Sequence, residues 1–172
     1  FDANGGEIVG EEEVEVFEYD NFYLSLAVYA RKQSKYYKYV FDCWEDISTG
    51  LKYKNAEEIN TLRKPTTFVA QYTQTEIIYD LTIETVYGQL LNNQKIESYQ
   101  GGYDGYVELL EKYKDFKPQD IREDHYTLVY KDKLVKYDSS GENIVSIFYN
   151  GWDKVMDKHT LQVDANGGKE LN

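Results

Sequence analysis

The most constraining feature of this 172-residue sequence is that it repeats. Phe1-Asp2-Ala3-Asn4-Gly5-Gly6 returns as Val163-Asp164-Ala165-Asn166-Gly167-Gly168, an offset of 162. A second correspondence runs at about half that spacing. With an offset of 80, Phe68 falls on Phe148, Tyr72 on Trp152, Leu81 on Leu161, Ile83 on Val163 and Gly88 on Gly168. Self-similarity at a fixed period means one packing unit used more than once, so the fold to be explained is a module of roughly 80 residues. The spacing predicts a first repeat over 1–79, a second, divergent repeat over 80–160, and the start of a third over 161–172. Phe1 already stands inside a strand-like run with no initiator Met, which reads as a piece of a longer parent chain.

Each period carries the same order of local patterns. Glu13-Val14-Glu15-Val16 alternates as a half-buried strand does. Phe22, Leu26 and Tyr29 then fall on one helical face, with Asp20 or Asn21 as N-cap; Tyr106, Leu110 and Tyr113 do the same in the second repeat, with Asp104 as N-cap. Period-two rows follow: Tyr37, Tyr39 and Phe41 in one repeat, Tyr126, Leu128 and Tyr130 in the other. Phe68-Ala70-Tyr72 and Val145-Ile147-Tyr149 supply a late strand, and Leu81-Thr82-Ile83 and Leu161-Gln162-Val163 open the next unit. The expected fold class is therefore α+β. A unit this small buries little over ~60% of its unfolded surface. Large aromatic side chains, each burying ~150–250 Å², help to offset that.

The charge balance narrows the partners. With 19 Lys+Arg against 31 Asp+Glu, the formal charge is −12. Nucleic-acid affinity depends on cations that displace phosphate counterions, so nucleic acid is not an expected partner. No run approaches the ~18–20 apolar residues of a membrane helix, and direct membrane insertion is not expected either. The 41% hydrophobic content, with 16% aromatic, is enough for packed cores. Cys43 is the single cysteine, which excludes an internal disulfide.

Several of these pieces, in this order, resemble a known family. The Phe1-Asp2-Ala3-Asn4-Gly5-Gly6 turn is followed by Phe41-Asp42-Cys43-Trp44 with Ser48-Thr49-Gly50 behind it, and then by Thr67-Phe68-Val69-Ala70-Gln71-Tyr72. This resembles the Listeria–Bacteroides repeat, the B-repeat of internalins and other bacterial surface proteins. The match covers the first repeat and the last twelve residues. In the second repeat Glu84-Thr85-Val86-Tyr87-Gly88 replaces the Asn-Gly-Gly turn, and only Phe148-Tyr149-Asn150-Gly151-Trp152 restores the ending. Cys43 stands where the family usually has Gly. The resemblance implies two tandem β-grasp-like repeats, each a sheet packed on one helix. It also implies a place on the bacterial cell surface, secreted or anchored to the wall, and a spacer or adhesive role without catalysis. Neighbouring repeats of the same parent chain would be the partners. Asn4, Gly5, Gly6, Phe41, Trp44, Tyr72, Trp152, Asn166, Gly167 and Gly168 are then structural motif residues.

The side chains that suggest chemistry each have a plainer reading. Asp164-Ala165-Asn166-Gly167-Gly168 lacks the six to eight oxygens of a calcium site and suits a turn needing positive φ. Glu11-Glu12-Glu13 reads as a solvated strand edge. Cys43 lies in the alternating row of Tyr37, Tyr39 and Phe41, with neither His125 nor His159 at a corresponding place to act as its base, so burial is expected. His159 aligns with Tyr79, and packing at the joint is expected for both. Asp120 and Glu123 would serve a glycosidase only in a cleft that nothing in the sequence builds. No cofactor, metal or catalytic residue is assigned. Among 18 tyrosines, Tyr36, Tyr53, Tyr87, Tyr103 and Tyr137 fall outside the apolar rows. They are candidate contacts for a host glycan or extracellular protein, the alternative to the spacer role.

Overall fold

The computed structural model describes residues 1–10, 13, 29–59 and 64–162. Its strands are β1 (Glu7–Val9), β2 (Tyr29–Arg31), β3 (Tyr37–Asp46), β4 (Lys52–Tyr53), β5 (Phe68–Glu76), β6 (Tyr79–Thr85), β7 (Ile96–Gly101), β8 (Ile121–Arg122), β9 (Tyr126–Tyr137) and β10 (Ile144–Met156). Helix α1 spans Tyr103–Tyr113, and a 3-10 turn spans Ala56–Glu58. The chain divides into two compact units, Phe1–Ile78 with Gly101–Asp104, and Tyr79–Gln100 with Gly105–Asn172.

In the first unit β1 and β2 form an antiparallel pair with Ile8 opposite Ala30, and a second sheet runs β4-β3-β5. Asp2 adds a parallel bridge to Val69 on the outer side of β5. Ala30, Trp44, Ala56, Ile59, Phe68 and Ala70 make the core, with Phe1, Phe41, Tyr53 and Tyr72 packed around it. Trp44 is fully buried. The Phe1 ring meets it edge-on at 4.7 Å and lies on Phe68 at 5.6 Å.

The second unit is one sheet in the order β7-β6-β10-β9-β8, with β6 parallel to β10. Alternate residues of β6, Tyr79, Leu81, Ile83 and Thr85, are buried, as a half-covered strand requires. Tyr106, Leu109 and Tyr113 are the buried residues of α1. Tyr106 stacks on Tyr79 at 4.8 Å and its hydroxyl accepts from the Ile144 amide at 2.8 Å.

One antiparallel pairing occurs twice in the same register, β3 with β5, which have β4 and the 3-10 turn between them in the chain, and β9 with β10, which are joined directly. Tyr37 faces Glu76 as Tyr126 faces Met156, and Phe41 faces Tyr72 as Tyr130 faces Trp152. The next pairs are Cys43–Gln71 and Asp132–Gly151, so each middle strand skips one residue, Asp42 or Lys131, at the equivalent place. A bulge kept at the same register position is a feature of the fold, because the extra residue bends and twists the strand locally. The parallel neighbour also recurs, as Asp2 beside β5 and β6 beside β10.

The expected fold class needs correction. The protein is predominantly β, with three sheets and a single α-helix among the described residues, and a helix packed on each of two α+β repeats is not what it shows. Of the helix expected in the first repeat, Asp20, Asn21, Phe22 and Leu26 lie outside the described residues, as do Val14 to Val16. Tyr29 belongs to β2, where Tyr29-Ala30-Arg31 runs exposed, buried, exposed and Ala30 is held by Ile8 from far along the chain. Such a partner overrides local preference. In the second unit α1 begins at Tyr103, so Asp104 sits in its first turn and is not its cap, and Leu109 is the buried leucine. Leu161 and Gln162 are not in a strand.

Candidate functional site

The Asn-Gly-Gly turn is built as its residues demand. The Gly6 amide donates to the Ala3 carbonyl at 3.0 Å. Between them Asn4 (φ 51°) and Gly5 (φ 78°) both take the positive φ that a type I′ turn needs. Asn4 Nδ2 donates to the Ala70 carbonyl at 3.1 Å, the Tyr72 hydroxyl donates to the Ala3 carbonyl at 2.9 Å, and Lys32 Nζ donates to the Asn4 carbonyl at 3.0 Å. The first six residues thus sit in a slot made by β5, Arg31 and Lys32.

From that slot a series of rings runs along β3 and β5. Phe41 lies 5.2 Å from Trp44 and 6.2 Å from Tyr72; Tyr39 meets Tyr72 at 6.0 Å, and Tyr37 meets Tyr39 at 6.2 Å. Lys32 Nζ stands 4.9 Å from the Tyr39 ring and 5.8 Å from the Tyr72 ring, within cation–π range. The second unit has its own series. Tyr113 and Phe116, Phe116 and Tyr149, Tyr149 and Tyr130, Tyr130 and Trp152, and Trp152 and Tyr87 are neighbours at 5.3–5.8 Å. Trp152 Nε1 also donates to the Tyr149 carbonyl at 3.1 Å. Burial pushes the Tyr149 phenol up to about 12. Burial, and then the Glu97 carboxylate that accepts its hydroxyl, raises Tyr113 as well.

The five candidate tyrosines divide between the units, Tyr36, Tyr53 and Tyr103 in the first and Tyr87 and Tyr137 in the second. Tyr36 and Tyr103 come together, their rings edge-to-face at 5.6 Å. The Tyr36 hydroxyl donates to Asp104 at 3.1 Å, and Lys35 Nζ reaches the Tyr103 hydroxyl at 3.1 Å. Tyr53 is half-buried against Phe68 at 5.7 Å. Tyr87 is exposed beside Trp152, and Tyr137 is exposed on β9. Of the motif residues, Asn4, Gly5, Gly6, Phe41, Trp44, Tyr72 and Trp152 all have packing or hydrogen-bonding roles, whereas Asn166, Gly167 and Gly168 lie outside the described residues.

Sequence reasoning missed the surface at Arg31–Tyr39. Tyr37 is 40% exposed although the period-two row placed it with the core. The stretch Arg31-Lys32-Gln33-Ser34-Lys35-Tyr36-Tyr37-Lys38-Tyr39 holds four cations and no carboxylate in a chain of charge −12. That local reversal of charge was the available signal.

Several titratable side chains are held in turn and strand contacts. Asp46, buried at the end of β3, accepts from the Ser48 amide and hydroxyl at 2.7 Å each and from the Thr66 hydroxyl at 2.9 Å. Burial alone would raise its carboxyl, but these donors hold it well below the ordinary carboxylate range. Asp138 ends β9 in the same manner, accepting from the Ser140 hydroxyl at 2.6 Å and Asn143 Nδ2 at 2.7 Å, and is lowered too. Cys43 is buried opposite Gln71, and burial pushes its thiol up. Asp120 caps a strand by accepting from the Tyr130 amide at 3.0 Å. His125 pairs with Asp124 on the surface at 2.9 Å. Of the two residues expected to pack at the joint, Tyr79 is buried at the start of β6 and His159 is exposed. Among the described residues no three His, Cys, Asp or Glu side chains gather as a metal-ligand set. The arrangement offers aromatic and cationic contact area on the first unit. Comparison with family models, curated proteins and solved structures found no match.

Proposed function

We propose that this chain is a non-catalytic repeat region of a bacterial cell-surface protein, a semi-rigid spacer that also displays adhesive surface, with neighbouring repeats of the same parent chain as its partners. The observation that supports it most is the bulged antiparallel strand pair formed twice in one register, Phe41–Tyr72 and Tyr130–Trp152 each preceding a skipped residue. Repeated modules are a means of setting length, since each unit adds a fixed increment. Only Ile77 and Ile78 lie between β5 and β6, and so short an apolar step lacks the Gly/Ser composition of a flexible tether. The extracellular location rests on the motif order that resembles B-repeats. Small-angle scattering tests the spacer: one well-defined distance distribution is expected. A broad distribution with wide freedom between units, or a single compact globule, overturns it.

A second reading, a dedicated binding module for a host glycan or protein, is favoured by the Arg31–Tyr39 stretch, where Tyr36 and Tyr37 are exposed in a segment that carries Lys32, Lys35 and Lys38, its fourth cation, Arg31, being paired with Glu7 at 2.8 Å. Rigid amphipathic rings beside cations suit acidic sugars or acidic protein surfaces. A glycan and host-protein array, read with the chain and with Tyr36→Ala/Tyr37→Ala, separates the two. Binding that the double substitution abolishes selects the module; no binding leaves the spacer.

A further inference from the structure

The slot that holds residues 2–6 in the first unit grips the backbone of its occupant along its length and selects residue type at Asn4 and Gly6. The Asp2 amide donates to the Phe68 carbonyl and the Asp2 carbonyl accepts from the Ala70 amide, both at 2.8 Å. Ala3 is read through its carbonyl by the Tyr72 hydroxyl, and Asn4 through its amide by the Ala70 carbonyl and through its carbonyl by Lys32. At Gly6 a Cβ would run into the Arg31 carbonyl and the Tyr72 hydroxyl, so only glycine fits. The same five residues in the same order, Asp164-Ala165-Asn166-Gly167-Gly168, occur once more in this chain. We propose that the slot of one copy accepts Asp164–Gly168 of a second copy in place of its own Asp2–Gly6, linking copies head to tail.

The inference goes beyond the spacer reading and does not depend on it. Every hydrogen bond made by residues 2–6 is available to 164–168, so the exchange conserves bonds, as element swapping between protomers does. The contact joins different surfaces of the two copies, and such heterologous contacts extend into open chains when the rotation does not close. The resident segment holds one advantage. Phe1 packs on Trp44 and Phe68, whereas Val163 stands at the equivalent place in the second sequence. The native slot is therefore biased toward its own start, and weakening the resident exposes the exchange.

The test uses the full chain carrying Gly6→Ala, the same chain carrying Gly6→Ala and Gly168→Ala, and a fluorescent peptide of residues 161–169 with and without Gly168→Ala. Gly6→Ala should bind the native peptide at least tenfold more tightly than the unaltered chain does, and the altered peptide at least tenfold more weakly than the native one. In sedimentation velocity Gly6→Ala should form oligomers that grow with concentration, and the double variant should remain monomeric. Phe1→Ala, which loosens the resident without touching the turn, should shift both readouts the same way by less, and it decides the matter if Gly6→Ala unfolds the first unit. Monomers at every concentration for the decisive variant, with the slot vacant or filled by the tail of the same copy, overturn the proposal. So does peptide binding indifferent to Gly168.

Discussion

The two units build one bulged strand pair from different residues. In the first, the pair beyond the bulge is Cys43 opposite Gln71; in the second it is Asp132 opposite Gly151. The buried ring next to the first strand pair's bulge is Trp44, while the second unit is centred on Tyr113 and Tyr149. Both middle strands end on an aspartate that accepts from a serine two residues on, Asp46 with Ser48 and Asp138 with Ser140. The register up to and across the bulge, and the turn chemistry, are kept while side-chain identities change; beyond the bulge β10 shifts register again between Gly151 and Phe148, where β5 runs on evenly. Register is the property least free to drift, because a one-residue slip would turn every inward side chain outward.

The largest expected effect tests whether each unit has its own core. Trp44→Ala should cost the first unit about 3–5 kcal/mol, the usual loss for emptying a fully buried large aromatic site. The chain has two tryptophans, Trp44 and Trp152, one in each unit. In the variant, Trp152 fluorescence reports the second unit alone. Its denaturation midpoint should stay within error of the native value while hydrogen-exchange protection of β3 and β5 collapses. An equal drop in both would break the comparison by making the two units one cooperative body.

Alkali should act in the other direction. The phenol of Tyr149 is pushed up to about 12 by burial, so it is neutral in the fold. A raised folded value contributes stability that is full below the unfolded value of about 10 and lost as pH rises through about 12, worth about 3 kcal/mol for a fully buried ring. Tyr113 and Tyr130 are raised as well, whereas the raised phenols and thiol of the first unit are Tyr36, Tyr72 and Cys43. Between pH 10 and about 12 the second unit should unfold first, with tyrosinate absorbance rising in step with loss of Trp152 fluorescence.

How much of this was legible beforehand differs by element. β3, β5, β6, β9 and β10 announce themselves through alternating rows such as Phe68-Ala70-Tyr72, since period two is written in the chain itself. Their length relative to the core is not. β3 buries Cys43, Trp44 and Asp46 and leaves Tyr37, Lys38 and Val40 exposed. Alternation tells which face a side chain takes, not whether anything covers that face. Tyr29 failed as a helix residue because its strand exists only through Ile8 and its neighbours in β1. The pairing of Tyr36 with Asp104 joins positions 68 apart, beyond any local pattern. The turn at Asp46, in contrast, was readable: Asp-x-Ser ahead of Gly50 is a side-chain-capped turn by composition.

Acid sharpens the comparison by a smaller amount. The depressed carboxyls of Asp46 and Asp138 contribute stability that is full above the unfolded value of about 3.9 and lost as pH falls toward their folded values. Asp46 is buried among its donors and Asp138 is more open, so of these two Asp46 should carry the larger acid effect; in the second unit Glu97, which burial would raise but Lys112 and Tyr113 hold low, adds its own. Asp46→Asn keeps an acceptor oxygen and removes the charge. It should cost about 1.5–3 kcal/mol at neutral pH, the range for hydrogen bonds to a charged group, and flatten the first unit's pH dependence below 4. Asp138→Asn should leave that profile unchanged.

The smallest effect probes the bulge itself. A Cβ at Gly151 would meet the Asp132 carboxylate, whose side chain lies over the glycine, and would come within 3.0 Å of the Asp132 carbonyl oxygen. In the first unit the equivalent residue is Gln71, with Cys43 opposite, so that strand pair accepts a side chain where the second does not. The carboxylate is exposed and can swing away, which limits the cost of Gly151→Ala to about 1 kcal/mol. Asp132→Ala in the same chain should restore most of the loss, because the double variant reproduces what Cys43 and Gln71 already do. A double-mutant cycle in urea measures the coupling directly. Coupling near zero would mean that the glycine is needed for the backbone of the bulge, and that the two strand pairs, alike in register across the bulge, bend by different means.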